Sequence, residues 1–105
     1  MAILEKKTLE VIMVGATHVI DMNGKSAFIY YENGERAHMR LPDGTSYHGQ
    51  WKLLDDGYQV AWENGPTGVW KLDHKSGTID YMDSSGAARG RISRIDFGDS
   101  ANLAA

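Results

Sequence analysis

Apolar and polar residues alternate along short segments of this chain, and a turn signal follows nearly every segment. Alternation with a period of two is typical of β-strands that pack one face on a core. Asn-Gly and Asp-Gly pairs between such segments favour hairpins, because both central residues of a type I′ turn need positive φ. The turn signals are Asn23-Gly24, Asn33-Gly34, Asp43-Gly44, Asp56-Gly57, Asn64-Gly65-Pro66, Ser76-Gly77 and Ser84-Ser85-Gly86.

The segments around these turns predict eight strands. They cover residues 16–22, 25–32, 35–41, 46–53, 58–63, 68–73, 78–82 and 88–97. Before them, Thr8 is expected to cap a single helical turn that carries Leu9, Ile12 and Met13 on one side, although the same residues also fit a strand. Eight strands joined by short turns form an up-and-down meander, which can close into a barrel. We therefore predict an all-β fold, an eight-stranded antiparallel up-and-down barrel with a short N-terminal helical turn.

Sorting each strand by face predicts an aromatic inner wall over the fourth to seventh strands. The second strand is ambiguous, because Phe28 and Tyr30 on one face compete with Ala27, Ile29 and Tyr31 on the other. The last strand is also ambiguous: Ile95 and Phe97 share a face with Arg91, and a bulge near Gly90 would switch the register. Three glycines in or beside strands are expected to mark the bends that closure requires, namely Gly49, Gly68 and Gly90.

Length and composition narrow the class of protein. The 105 residues predict one domain, with an N-terminal segment 1–14, a barrel 15–98 and a tail 99–105. The chain has no cysteine, so it forms no disulfide, and its net charge of −3 lacks the basic footprint of a nucleic-acid-binding protein. No run approaches the ~20 apolar residues of a membrane span. Glu10 interrupts the N-terminal apolar run, which speaks against an export signal and predicts a cytoplasmic protein.

Among the histidines, His18 has the most apolar face-mates, which are Ala16, Ile20 and Met22. Burial lowers the pKa of an imidazole and keeps it neutral, so His18 is the candidate catalytic residue, as a general acid or base, or a group that orients a ligand. The alternative is a core histidine whose nitrogens bond to a tyrosine hydroxyl or a backbone carbonyl. The other three histidines, His38, His48 and His74, are expected at solvated positions. Their spacing is not that of metal ligands, so no metal site is predicted.

Tyrosine hydroxyls and tryptophan N–H groups would give the inner wall polar tips that need partners. Such a wall is either a packed core or a pocket for a flat, partly polar molecule, since an eight-stranded barrel has room for one small ligand. Arg91 is expected to pair with a ligand carboxylate if it points inward, the alternative being an outward arginine. The candidate ligand-binding residues are Tyr30, Tyr47, Trp51, Tyr58, Trp62, Trp70, Tyr81 and Arg91.

Five short motifs between residues 14 and 99 carry a family resemblance. They are Gly15-Ala16-Thr17, Tyr30-Tyr31 with Asn33-Gly34, Gly49-Gln50-Trp51, Asp56-Gly57-Tyr58 and Val69-Trp70-Lys71. In these motifs the chain resembles small bacterial lipocalin-like (calycin-like) domains. The resemblance implies an eight-stranded barrel that holds a ligand, and it supplies no catalytic residue. Those domains are often exported and often carry a late cysteine pair, which this chain lacks.

Two functions from different classes follow. The first is binding of a small, partly aromatic or amphipathic molecule inside the barrel. The second is a cofactor-free lyase, isomerase or cyclase that uses His18 as general acid or base, with tyrosine hydroxyls and Arg91 as oxyanion or carboxylate partners. A weaker third reading places the function on the outer surface. No cofactor is predicted. Four apolar residues are assigned to the outer face, namely Ile29, Tyr31, Val69 and Met82. Such a patch favours a homodimer.

Overall fold

The computed structural model describes residues 2–33, 35–63 and 65–104. In chain order its elements are β1 (Ala2–Ile3), α1 (Lys6–Met13), β2 (Ala16–Met22), β3 (Lys25–Glu32), β4 (Arg36–Arg40), β5 (Ser46–Leu53), β6 (Tyr58–Trp62), β7 (Thr67–Lys75), β8 (Thr78–Met82) and β9 (Ala88–Phe97). Gly34 and Asn64, which belong to two predicted turns, lie outside the described residues, as do Met1 and Ala105 at the ends of the predicted domain.

The eight strands β2 to β9 form a closed antiparallel barrel. Each strand pairs with the next along the chain, and β9 returns to pair with β2, so the up-and-down barrel predicted from the turns is confirmed. Because the barrel is closed, each of the eight strands pairs with a neighbour on both sides over at least part of its length. This pairing removes the free strand edges through which sheets aggregate. The short β1 was not predicted; it adds to β7, with Ile3 opposite Asp73.

The first hairpin has the predicted turn chemistry. Asn23 has φ 56° and Gly24 has φ 84°, as a type I′ turn between β2 and β3 requires. The Gly24 amide also donates a 2.9 Å hydrogen bond to the Asp21 carboxylate. This turn therefore fixes the register of the first two barrel strands by backbone geometry and by a side-chain acceptor.

The N-terminal helix is longer than the single turn predicted. It spans Lys6–Met13 and begins after Glu5, so Thr8 lies inside it and the expected Thr8 cap is wrong. Leu9 and Met13 lie one turn apart and are fully buried, which follows from the spacing of four residues along one helix face. The Lys6 amide donates to the Asp55 carbonyl at 2.9 Å, which ties the start of the helix to the turn between β5 and β6.

The two ends of the barrel differ. Because the strands alternate in direction, the β2–β3, β4–β5, β6–β7 and β8–β9 turns share one end. The helix α1 packs at the other end, where its bond to Asp55 places it beside the β5–β6 turn. The apolar face of α1 thus closes one end, and any opening to solvent lies at the other.

The structure settles the two ambiguous strands. In β3 the buried set is Ala27, Ile29 and Tyr31, so Tyr30 lies on the outer face. In β9 the ladder with β8 jumps from Gly90 to Ala88, which leaves Arg89 as the extra residue of a bulge and confirms the bulge predicted near Gly90. The bulge brings Arg89 to the border of the barrel interior, although 62% of its side chain stays exposed.

Gly49 shows why a glycine stands in the middle of β5. A Cβ at this position would collide with the Ala61 carbonyl oxygen and approach the Trp62 Cα to 2.9 Å on the adjacent β6. The two backbones can come this close only because Gly49 has no side chain. The glycine therefore marks a close approach of strands, in agreement with its predicted role in closure.

Candidate functional site

A cavity of about 320 Å³ lies inside the barrel. Its wall includes Met22, Leu41 and Pro66, which flank the turns at the end opposite α1. The remaining wall is mainly aromatic and aliphatic. The volume of the cavity lies near the lower limit of the range for ligand pockets, which is roughly 300–1,000 Å³. The barrel interior is thus filled at the helix end and open in its other half.

Most of the aromatic residues predicted to bind a ligand line this cavity. They are Tyr47, Tyr58, Trp62, Trp70 and Tyr81, which come from β5, β6, β7 and β8. Alternation along each strand brings their side chains to one side of the sheet, and closure turns that side inward. The tyrosines and tryptophans form an apolar wall that carries several polar tips.

Two predicted ligand-binding residues do not line the cavity because they face outward. Tyr30 lies on the outer face of β3, where its ring stacks on His38 at 6.1 Å. Arg91 is also outside: its side chain is 56% exposed and its Nε donates to Asp80 at 2.8 Å. The inward placement of Arg91 fails because the pairing of β9 with β2 skips Ser93, which separates Arg91 from the face of Ile95.

Trp51 was predicted to bind a ligand from the inner wall; it is buried, but it is not among the residues that line this cavity. Its ring lies 4.9 Å from the Tyr31 ring at an interplanar angle of 62°. Its indole Nε1 is buried without a hydrogen-bond partner among the described residues. Trp51 is therefore a packing residue beneath the cavity.

Sequence analysis missed two residues of the site, Tyr31 and Arg89. Tyr31 is fully buried, and its side chain lines the cavity. Arg89 is the only charged residue among the described residues that line the cavity. Its Nε donates to the Asp83 carboxylate at 2.6 Å, and no described residue accepts from its other nitrogens. The Asn23-Gly24 register could have identified Tyr31, whereas Arg89 depends on where the bulge falls.

His18 is fully buried and lies at the inner end of a hydrogen-bonded chain. Its Nε2 is 2.9 Å from the Ile12 carbonyl oxygen, which can only accept, so Nε2 carries the hydrogen. In a neutral imidazole Nδ1 is then the acceptor, and the Tyr81 hydroxyl donates to it at 3.3 Å. The Tyr31 hydroxyl, 3.0 Å from that of Tyr81, donates in turn to the Tyr81 oxygen.

Burial determines the protonation states of the hydrogen-bonded side chains His18, Tyr81 and Tyr31. Desolvation lowers the pKa of His18 to about 4, and the hydrogen bond to Ile12 opposes this only in part. Desolvation also raises the pKa of Tyr81 to about 12 and those of Tyr31 and Tyr58 well above 10. The imidazole and the three phenols are therefore neutral at pH 7.

Donor accounting shows what this cluster offers to a ligand. The hydrogens of Tyr31, Tyr81 and His18 are all directed along the chain toward Ile12. The Tyr58 hydroxyl hydrogen-bonds to the hydroxyls of Tyr31 and Tyr81, so its hydrogen is also used inside the cluster. Tyr31 and Tyr58 both line the cavity, so a bound molecule meets phenol oxygens whose remaining lone pairs accept hydrogen bonds.

The outer histidines differ from their predicted solvated placement. His74 is exposed as expected, but His38 is only 5% exposed. Its ring lies between Tyr30, Glu32 and His48. The prediction of a solvated His38 is wrong because flanking side chains on neighbouring strands cover it.

The outer apolar surface is also smaller than predicted. Ile29 and Tyr31 were assigned to the outer face in support of a homodimer, but both are buried inside the barrel. Val69 is 39% exposed and Met82 is partly buried. Half of the expected apolar patch is thus part of the core.

Two further findings concern the described part of the chain. Within residues 2–33, 35–63 and 65–104, no group of three or more histidine or carboxylate side chains is arranged to hold a metal ion. None of the helices described is both long and apolar enough to span a membrane.

The fold and the cavity define an all-β closed barrel with an internal aromatic pocket. Comparison with protein-family models, curated proteins and solved structures finds no match to this chain.

Proposed function

We propose that the protein binds a small, partly aromatic or amphipathic molecule inside the barrel. The single observation behind this proposal is the 320 Å³ cavity with its aromatic wall. An engineered apolar cavity of about half this volume is known to bind benzene, so the present one has room for a molecule of one or two rings. Trp62, Trp70 and Tyr47 supply flat surfaces against which such rings pack at 4.5–7 Å between centroids, roughly the range of aromatic pairs.

Arg89 narrows the ligand class to molecules with an anionic group. A guanidinium presents five N–H donors, and only Nε is engaged, by Asp83. Hydrogen bonds from Ser85 and then Arg89 hold the pKa of Asp83 below its usual value, so this carboxylate stays ionised and anchors the guanidinium. The terminal nitrogens of Arg89 remain available to the carboxylate or sulfonate group of a ligand whose apolar part lies in the cavity.

A cofactor-free lyase, isomerase or cyclase is the second candidate. The chain from Tyr31 through Tyr81 to His18 favours it, since a proton could pass from the cavity wall to the imidazole. Two features weaken it. Both nitrogens of His18 are engaged and Tyr81 separates it from the cavity, and a pKa of about 4 makes it a weak base at pH 7.

Membership of a lipocalin-like family, a cytoplasmic location and a homodimer also remain proposals. The closed eight-stranded barrel with one plugged end supports the first. The homodimer is less well supported than the sequence indicated, because two residues of the expected outer apolar patch, Ile29 and Tyr31, lie inside the barrel.

The experiment that tests binding uses the whole chain. Native mass spectrometry of freshly purified protein is expected to show a retained small molecule that is released on denaturation. Calorimetric titration of stripped protein with 2-naphthoate is expected to give saturable binding with one site per chain. Absence of a retained molecule, together with no saturable heat for 2-naphthoate, indole-3-carboxylate or decanoate up to millimolar concentrations, would overturn the proposal.

A further inference from the structure

Two histidines face each other on the outer surface of the barrel, away from the cavity. His38 on β4 and His48 on β5 are directly opposite across the two strands. Their Nδ1 atoms are 2.7 Å apart, and their ring centroids are 5.0 Å apart. We call these two residues the histidine pair. Its nitrogens converge because opposite residues of adjacent antiparallel strands carry their side chains on the same face.

The ring of His38 is held from two further sides. Its Nε2 is 2.9 Å from Glu32 Oε1, and the Tyr30 ring stacks on it with an interplanar angle of 20°. These contacts leave His38 5% exposed. His48 is partly exposed, so the histidine pair can be reached from solvent on that side.

The hydrogen bond to Glu32 determines which nitrogen of His38 is free. A carboxylate only accepts, so Nε2 of His38 carries a hydrogen and its Nδ1 presents a lone pair to His48. The 2.7 Å gap then holds one hydrogen, donated by Nδ1 of His48. When His48 shifts that hydrogen to its own Nε2, two imidazole lone pairs meet in one place.

We propose that the histidine pair binds a divalent transition-metal ion, such as Zn²⁺ or Cu²⁺, through the two Nδ1 atoms. Imidazole nitrogen suits these ions. A metal-ligating histidine almost always donates its other N–H to a carboxylate or carbonyl, and Glu32 accepts such a hydrogen bond from His38. The ion takes the place of the shared hydrogen.

Metal binding requires a small local movement. Two nitrogens on one tetrahedral ion, at bond lengths near 2.0–2.1 Å, lie roughly 3.3 Å apart, so the 2.7 Å gap must widen by a few tenths of an ångström. Rotation of the His48 side chain supplies this, since that side chain is less confined than His38. Water completes the coordination shell from the exposed side.

Calorimetric titration of the whole chain with ZnCl₂ and CuCl₂ tests the proposal. The native protein is expected to bind one ion, with two imidazole nitrogens visible in the electron paramagnetic resonance spectrum of the Cu²⁺ form. His48→Gln is expected to weaken binding at least tenfold, and Glu32→Ala about tenfold, as loss of a carboxylate behind a ligand usually does. His74→Gln is the matched control, because His74 is an exposed histidine on β7, and it should leave this affinity unchanged.

Two results would overturn the proposal. One is unchanged binding in His48→Gln whose thermal midpoint matches that of the native protein. The other is an equal loss in His74→Gln, which would show only scattered surface binding. His38 is not substituted, because it is buried and its loss would confuse folding with binding.

Discussion

The free energy of unfolding is expected to fall by about 2 kcal/mol between pH 8 and pH 5 because of His18. Its pKa is 6.5 in the unfolded reference and about 4 in the folded protein. As the pH falls below 6.5, His18 therefore binds a proton in the unfolded chain but stays neutral in the folded protein, so the free energy of unfolding decreases. The loss reaches about 3 kcal/mol below pH 4, since each unit of pKa difference corresponds to about 1.36 kcal/mol.

Urea denaturation at a series of pH values measures this loss. In His18→Gln, which has no ionisable group at this position, the decline between pH 8 and pH 5 should shrink by about 2 kcal/mol. His74→Gln removes an exposed histidine and should retain the decline. The comparison stays above pH 5, because the lowered pKa values of Asp80 and Asp96 place their protonation below that range. Equal declines in the native protein and His18→Gln would contradict a buried neutral imidazole.

Replacing Arg89 is expected to weaken the binding of an anionic ligand about tenfold. A hydrogen bond to a charged group contributes about 1.5–3 kcal/mol, and the exposure of the Arg89 side chain places the effect at the lower end. Arg89→Gln should therefore raise the Kd of 2-naphthoate about tenfold and leave that of neutral 2-naphthamide within about twofold.

Arg91 provides the control for this measurement. It lies two residues further along β9, and its side chain points outward to Asp80. Arg91→Gln should leave both Kd values unchanged in calorimetry. If Arg91→Gln weakens 2-naphthoate as much as Arg89→Gln does, the contribution is general electrostatics and Arg89 is not the anion partner.

The fold could be predicted from the sequence because its signals are local. Asn23-Gly24 specifies a type I′ turn by backbone conformation alone, and the structure has both residues at positive φ. Alternation along β5 and β6 then assigns Trp51 and Trp62 to the inner face. The strand register and the barrel order follow from several such turns in succession.

The site was less predictable because it depends on contacts between distant residues. Both faces of β3 are apolar, so alternation could not separate Tyr30 from Tyr31. The positions of Arg89 and Arg91 depend on two register shifts of β9, one in its pairing with β2 and one in its pairing with β8. Similarly, His38 and His48 were each assigned an outward face, but their 2.7 Å contact requires the relative register of β4 and β5.

The Kd of 2-naphthoate for a cavity-filling variant tests the proposed ligand site most directly. Ala27 is buried and lines the cavity, whereas its neighbour Ser26 is exposed on β3. Ala27→Phe adds a ring to the interior, and Ser26→Phe adds the same ring outside. With both variants folded by circular dichroism, Ala27→Phe should bind 2-naphthoate at least a hundredfold more weakly than the native protein, and Ser26→Phe should bind it normally. Unchanged affinity in folded Ala27→Phe would show that the ligand does not enter the barrel.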